Sequence, residues 1–196
     1  MIDPATLDAN PLSQFQTWFD EARAAMPAAE AVALATATPA GRPSLRMVLA
    51  KGADARGLVF YTGLESRKGH ELAVNPHAAL LFHWAPLGRQ VRVEGPVTRV
   101  PDEEAAAYFA SRPPGSRISA WASPQSEVVA SRGELERRFV EAKERLGDEP
   151  PLPPHWGGFR LAPEAWEFWL HRDDRLHDRV RYLREGTGWR RERLGP

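Results

Sequence analysis

Glu167-Phe168-Trp169 and Arg175-Leu176-His177-Asp178-Arg179 flank a polar link, His171-Arg172-Asp173-Asp174. Alternate residues of an extended strand share a face. Read as a strand, the second run puts Arg175, His177 and Arg179 on one side, with Leu176 and Val180 on the other. Three cationic or protonatable groups on one face repel each other unless an anion lies between them. Trp169 belongs to the preceding strand, and the link allows the two to form a hairpin. An indole beside a cationic row suits a flat, phosphorylated ligand. A solvated edge strand with scattered charges is the bland alternative. The choice depends on whether other stretches also look like phosphate sites.

Working outward, the C-terminal part reads as strands near 157–161, 165–170 and 175–184, with a short one over Trp189–Leu194. Toward the N-terminus, Ala31–Thr38 and Leu45–Lys51 are strands joined by a turn at Pro39-Ala40-Gly41-Arg42. Leu58–Thr62, Ala78–Trp84 and Gln90–Val100 are three more. Residues 1–9 read as a short mobile arm. Asn10 before Pro11 reads as a helix N-cap, and Leu12, Phe15, Phe19, Ala22 and Met26 continue at helical spacing over 11–26. Ser66–Val74 is a short helix ended by Asn75-Pro76. Residues 101–147 form a helical insertion. Pro101-Asp102-Glu103-Glu104 starts its first helix, which runs to about Arg112. A short helical piece follows at Ser116–Ser123. Ser131 and Glu134 have capping-box spacing before Leu135, Phe139, Ala142 and Leu146, and Gly147 ends that helix. Short antiparallel strands with helices inserted between them indicate one mainly β domain over 1–196, a β-barrel with α elements. The strands from 157 to 196 complete it.

Composition narrows the function. The chain has 196 residues, 42% hydrophobic and 27% charged, with 26 basic and 26 acidic side chains. A net charge of zero argues against bulk binding to nucleic acid or an anionic membrane, so anion sites must be local pockets. The chain has no cysteine, which removes thiol nucleophiles and Cys-ligated metals and fits a reducing cytoplasm. Met1-Ile2-Asp3-Pro4 lacks the pattern of a signal peptide. The six histidines show no metal-binding spacing, and there is no G-x-S-x-G, G-x-G-x-x-G or P-loop. No metal is expected.

Three stretches could hold phosphate through side chains. Ser66-Arg67-Lys68 opens a helix with two cations that oppose the macrodipole, and an anion there would meet free N–H groups and both side chains. Two solvent-exposed basic residues are the alternative. Arg46 and Lys51 bracket a strand but differ in parity, so either a bulge intervenes or they serve different ligands. Tyr108 and Arg112 are four apart on a helix, with Ser116 just past its break, a plausible second phosphate cradle. A helix-end arginine beside a packed tyrosine would look the same.

Together these stretches resemble the pyridoxine/pyridoxamine 5′-phosphate oxidases, flavoproteins of the FMN-binding split-barrel type. The resemblance runs from about Asn10 to Pro196. It is carried by Arg46–Lys51, Phe60-Tyr61-Thr62, Ser66-Arg67-Lys68, Arg89-Gln90-Val91, Tyr108-Phe109 with Ser111-Arg112-Pro113, Gln125-Ser126, Trp156-Gly157-Gly158-Phe159-Arg160, and the paired runs at 167–169 and 175–179. It implies an antiparallel, Greek-key-like split barrel with flanking helices. It implies FMN contacts at Arg46, Met47, Val48, Leu49, Lys51, Tyr61, Thr62, Arg67, Lys68, Gln90, Gln125, Ser126, Trp169 and Arg179. The substrate phosphate would lie on Lys51, Tyr108, Arg112 and Ser116. Arg175 and His177 would be catalytic, over the pyridine ring.

The resemblance also implies a homodimer whose FMN sites use both subunits. Its chemistry would be hydride transfer from C4′ of pyridoxamine or pyridoxine 5′-phosphate to flavin N5, with oxygen reduced to hydrogen peroxide and pyridoxal 5′-phosphate as product. Two departures stand out. Family members often begin with a longer arm carrying Arg and Tyr, whereas only nine residues precede the first helix here. Leu170 follows the Trp where a small or polar residue is common. The competing readings are a phenazine-pathway oxidase, a deazaflavin-dependent reductase, and a non-catalytic flavin or pyridoxal phosphate carrier.

Overall fold

A computed structural model describes residues 1–196. The strand pattern read from alternation folds as nine strands: β1 (Ala31–Ala37), β2 (Pro43–Asp54), β3 (Gly57–Gly63), β4 (His77–Trp84), β5 (Arg89–Arg99), β6 (Trp156–Leu161), β7 (Ala165–Leu170), β8 (Asp178–Glu185) and β9 (Gly188–Arg193). Neighbours run β4-β1-β2-β3-β6-β5, and β4 also pairs with β5. That pairing closes a six-stranded antiparallel barrel with no free edge. β7, β8 and β9 extend the sheet from β5.

β5 makes this division possible. Residues 89–94 pair with β7, whereas 97–99 pair with β6. Gly95 lies at the switch, where a Cβ would stand 2.0 Å from the Ala162 carbonyl oxygen. Only glycine allows the backbones to approach so closely.

Five helices surround the barrel: α1 (Pro11–Ala25), α2 (Arg67–Val74), α3 (Asp102–Ala110), α4 (Pro114–Ala122) and α5 (Arg132–Leu146). Their starts follow local capping chemistry. Asn10 accepts from the Leu12 N–H, Ser66 from Gly69 and Ser131 from Glu134. Gly147, at φ 67°, ends α5. None of the helices is long and apolar enough to cross a membrane.

Alternation sets the core. Val32 and Leu34 of β1, Leu80 and Phe82 of β4, and Val91 and Val93 of β5 point inward and are buried. β6 is buried along its whole length, because it lies between β3 and β5 with α3 against it. α1 covers one part of the core with Phe15, which lies 5.0 Å from Phe82 and 5.4 Å from Trp166, centroid to centroid. Trp18 sits edge-on to Phe168 at 5.3 Å. The helical stripe expected on α1 omitted Trp18, which is buried while Leu12 is only half-buried. Pro11, Phe15, Trp18 and Ala22, three or four residues apart, share the buried face.

Two further expectations need correction. The sequence of residues 1–9 reads as a mobile arm, but Ile2 and Leu7 are buried. The Ile2 N–H donates to Asp178, Arg193 donates to the Ile2 carbonyl, Arg191 to that of Leu7, and Tyr182 to that of Asp8. Side chains of β8 and β9 far along the chain supply these anchors, so local composition could not reveal them.

The strand expected from residue 175 begins at Asp178. Asp173–Arg175 forms a 3-10 turn, in which Asp174 and Arg175 have φ of 56° and 61°. Arg175 and His177 therefore lie on the loop before β8, off the alternating face that carries Arg179. Arg172 holds this loop closed: its N–H donates to His177 Nδ1 at 3.1 Å and its Nε to Asp178 at 2.8 Å. The expected hairpin does form, with Trp169 opposite Arg179.

Candidate functional site

The closed barrel brings distant stretches into one cleft of about 810 Å³. β2 supplies Arg46, Met47, Val48, Leu49 and Lys51; β3 supplies Tyr61 and Thr62; α2 supplies Arg67 and Lys68. Tyr108, Arg112 and Ser116 enter from α3, its end and α4, and Gln125 and Ser126 from the loop after α4. The parity conflict between Arg46 and Lys51 has a structural answer: the β2–β3 register shifts between Ala50 and Gly52, so Lys51 is a bulged residue. α3 ends at Ala110 rather than Arg112, because Pro113 and Pro114 cannot continue it.

Arg46 is held by its neighbours. It donates to the Leu34 carbonyl at 3.1 Å and to Thr36, Ser44 and Glu71. Glu71, buried on α2, also accepts from Thr36, Ser44 and Arg67. Burial would raise the Glu71 carboxyl, but the Ser44, Thr36 and Arg67 bonds and the Arg46 charge outweigh it and hold it at about 2. Glu71 did not figure among the site residues read from the sequence. Its spacing from Arg67, four residues on one helix face, was the available signal.

Lys68 is buried, and its ammonium has only neutral acceptors: Thr62 at 2.9 Å, Gln125 at 3.0 Å and Ser66 at 3.1 Å. Burial, together with the Arg46 charge, lowers its pKa to about 8. Arg46, Arg67 and Lys68 thus converge at the start of α2 with Glu71 as the acid bonded among them. The surplus positive charge and the free N–H groups of a helix N-terminus suit a phosphate.

Deeper aromatic packing forms one wall. Tyr61 and Tyr108 stack at 4.0 Å, and Tyr61 stacks on Trp156 at 5.6 Å. The Arg112 guanidinium lies 4.9 Å over Trp156. Its Nη1 is buried without a hydrogen-bond partner, and burial lowers its pKa. An unpaired buried guanidinium nitrogen is costly unless a ligand completes it. Trp156 was recognised in the sequence only as part of the Trp156-Gly157-Gly158 run. Gly158 is needed there, since a Cβ would meet the Tyr61 ring at 2.6 Å.

Five expected residues lie outside this cleft. Gln90 pairs with Trp169 across β5–β7, and Trp169 with Arg179 across β7–β8. Arg179 donates to Glu167 at 2.7 Å and to the Gly195 carbonyl at 2.9 Å. The His177 ring lies 4.6 Å from Trp169 and 5.2 Å from His171. Arg175 is exposed on its turn. These residues form a second group around the β7–β8 hairpin, and within one chain it does not join the first.

Residues 19–146 match the family model described as "Pyridoxamine 5′-phosphate oxidase". Residues 156–196 match that of the "Pyridoxine 5′-phosphate oxidase C-terminal dimerisation region". The chain is 56% identical to a pyridoxine/pyridoxamine 5′-phosphate oxidase of Paraburkholderia phytofirmans over all of its own length and 93% of that protein's. It is 57% identical to one of Cupriavidus taiwanensis over 95% of this chain and 89% of that one. Among solved structures, PhzG from Burkholderia lata 383, in complex with tetrahydrophenazine-1-carboxylic acid, superposes with a TM-score of 0.93 at 33% identity, covering 100% of this chain and 97% of that chain. With both regions matched and relatives this similar across its whole length, the chain belongs to the pyridoxine/pyridoxamine 5′-phosphate oxidase family.

Proposed function

We propose that this protein oxidises pyridoxamine 5′-phosphate and pyridoxine 5′-phosphate to pyridoxal 5′-phosphate with FMN as cofactor. The observation that carries the reading is the cleft itself, where the buried Lys68 and the half-buried Arg112, its Nη1 enclosed and unbonded, are cations without carboxylate partners. Arg46, Arg67 and Lys68 would hold the FMN phosphate, with Thr62, Gln125 and Ser126 beside them. When bound, FMN supplies the two-electron acceptor and the route to oxygen. The alcohol substrate and O2 give the aldehyde and H2O2. The amine substrate also consumes water and releases ammonia.

Lys51, Tyr108, Arg112 and Ser116 would hold the substrate phosphate. Arg175 would orient the pyridine ring through its planar guanidinium. His177 Nδ1 accepts the Arg172 N–H, so in the neutral ring Nε2 carries the proton and can donate to substrate. Gln90, Trp169 and Arg179 would reach FMN, and Arg175 and His177 the substrate, from a second copy of the chain. A homodimer is further supported by Leu45, Met47 and Leu49, which are exposed on one face of β2 beside the cleft, and by the match at 156–196.

Peroxide release from pyridoxamine 5′-phosphate by the FMN-loaded protein tests this reading. A carrier would give none. The PhzG likeness favours a second reading, oxidation of a reduced phenazine. Turnover of tetrahydrophenazine-1-carboxylic acid without turnover of pyridoxamine 5′-phosphate would replace the first reading by the second.

A further inference from the structure

Lys51 borders two cavities. One is the large cleft with Arg112 and Ser116. The other, of about 310 Å³, has Phe15, Arg23 and Glu30 in its walls. The ammonium is engaged with the second: Nζ donates to Glu30 Oε1 at 3.2 Å. The bulge between Ala50 and Gly52 takes Lys51 out of the β2–β3 register. Glu30 is fixed just ahead of β1, where its carbonyl accepts from the Ala50 N–H at 2.9 Å. Its carboxyl is held below the usual range by its own backbone N–H and by Lys51.

We propose that Glu30 is a latch on Lys51, a positioning residue that competes with the phosphate of the substrate for this one ammonium. The inference rests on the reading of Lys51 as a ligand of that phosphate. The side chains are 26% and 32% exposed, so the pair is weak and screened. A phosphate dianion offers more charge and more acceptors than one carboxylate. Lysine can change partner because its charge rides on a flexible four-carbon stem. Once released, Glu30 keeps a cation nearby, since Arg23 lines the same cavity. Glu30 therefore sets how tightly a phosphorylated ligand is held without touching it.

The experiment titrates pyridoxal 5′-phosphate into FMN-loaded protein. Glu30→Gln should lower its Kd about two- to fivefold, the worth of a half-exposed ion pair. Binding of unphosphorylated pyridoxal should not change. In turnover of pyridoxamine 5′-phosphate the effect should appear in KM rather than kcat. Lys51→Ala should weaken pyridoxal 5′-phosphate binding and abolish the effect of Glu30→Gln in the double variant. If Lys51→Ala weakens binding but Glu30→Gln leaves it unchanged or weaker, the latch is wrong and the Lys51 assignment stands. If Lys51→Ala leaves affinity unchanged, the assignment of Lys51 to the phosphate is wrong and the latch falls with it.

Discussion

Arg46 and Glu71 are joined across the barrel wall: the arginine on β2 donates to Glu71 Oε2 on α2 at 3.3 Å, while Oε1 of the same carboxylate accepts from Arg67 at 2.9 Å. One buried acid thus orients two of the cations proposed for the cofactor phosphate. It also limits their mutual repulsion.

This relationship predicts a pH dependence of stability. A carboxyl whose folded pKa lies below its unfolded value adds stability above the unfolded value, and loses it as pH falls through the folded one. For Glu71 the two values are 4.5 and about 2. Glu71→Gln should melt lower than wild type at neutral pH. The gap should shrink as pH falls from about 4.5 to about 2. A gap that stays constant to the bottom of that window would contradict the network.

Lys68→Ala should weaken FMN by about 1.5–3 kcal/mol, the worth of a charge-assisted contact, or about 10- to 150-fold in Kd. Burial lowers the Lys68 pKa to about 8 in the protein without ligand. Above that pH, FMN binding must take up a proton, so wild-type affinity should fall while that of Lys68→Ala stays flatter. Flavin fluorescence titration at several pH values measures both effects. Equal affinities for the two proteins would remove Lys68 from the phosphate site.

Arg112→Ala should raise the KM for pyridoxamine 5′-phosphate with little change in kcat. A contact made equally in the ground and transition states shifts binding alone. Steady-state kinetics decides the matter: a collapse of kcat at constant KM would give Arg112 another role.

Arg175→Lys should slow reduction of bound flavin by pyridoxamine 5′-phosphate while FMN stays bound, and His177→Asn should slow it less. A lysine ammonium cannot lie flat over a ring as a guanidinium can. Stopped-flow absorbance follows the flavin directly. A wild-type rate in Arg175→Lys would make the 171–177 loop a structural element.

Met47→Asp should give monomers that bind FMN poorly. Met47 is 63% exposed between Leu45 and Leu49, and an aspartate there could not be desolvated against a second copy. Sedimentation with bound-flavin absorbance tests it, and a monomer that retains full FMN affinity would refute the two-subunit site.

What the sequence determined by itself was everything encoded within a few residues. The caps at Asn10, Ser66 and Ser131, the stop at Gly147 and the alternation of β1, β4 and β5 all depend on near neighbours. The parity of Arg46 and Lys51 left either a bulge or two separate ligands, and the bulge is there. Family resemblance extended this local reading to an order of motifs along the chain. Only the tertiary structure decided how those motifs meet. β4–β5 pairing closes the barrel and brings β2, β3, α2 and the loop after α4 around one cleft. The run from Arg175 to Arg179 alternates like a strand, yet its first residues turn away because Arg172 finds Asp178, which Ile2 and Arg193 also hold. Those partners come from the two ends of the chain, and a choice among distant partners is settled by packing, not by local pattern.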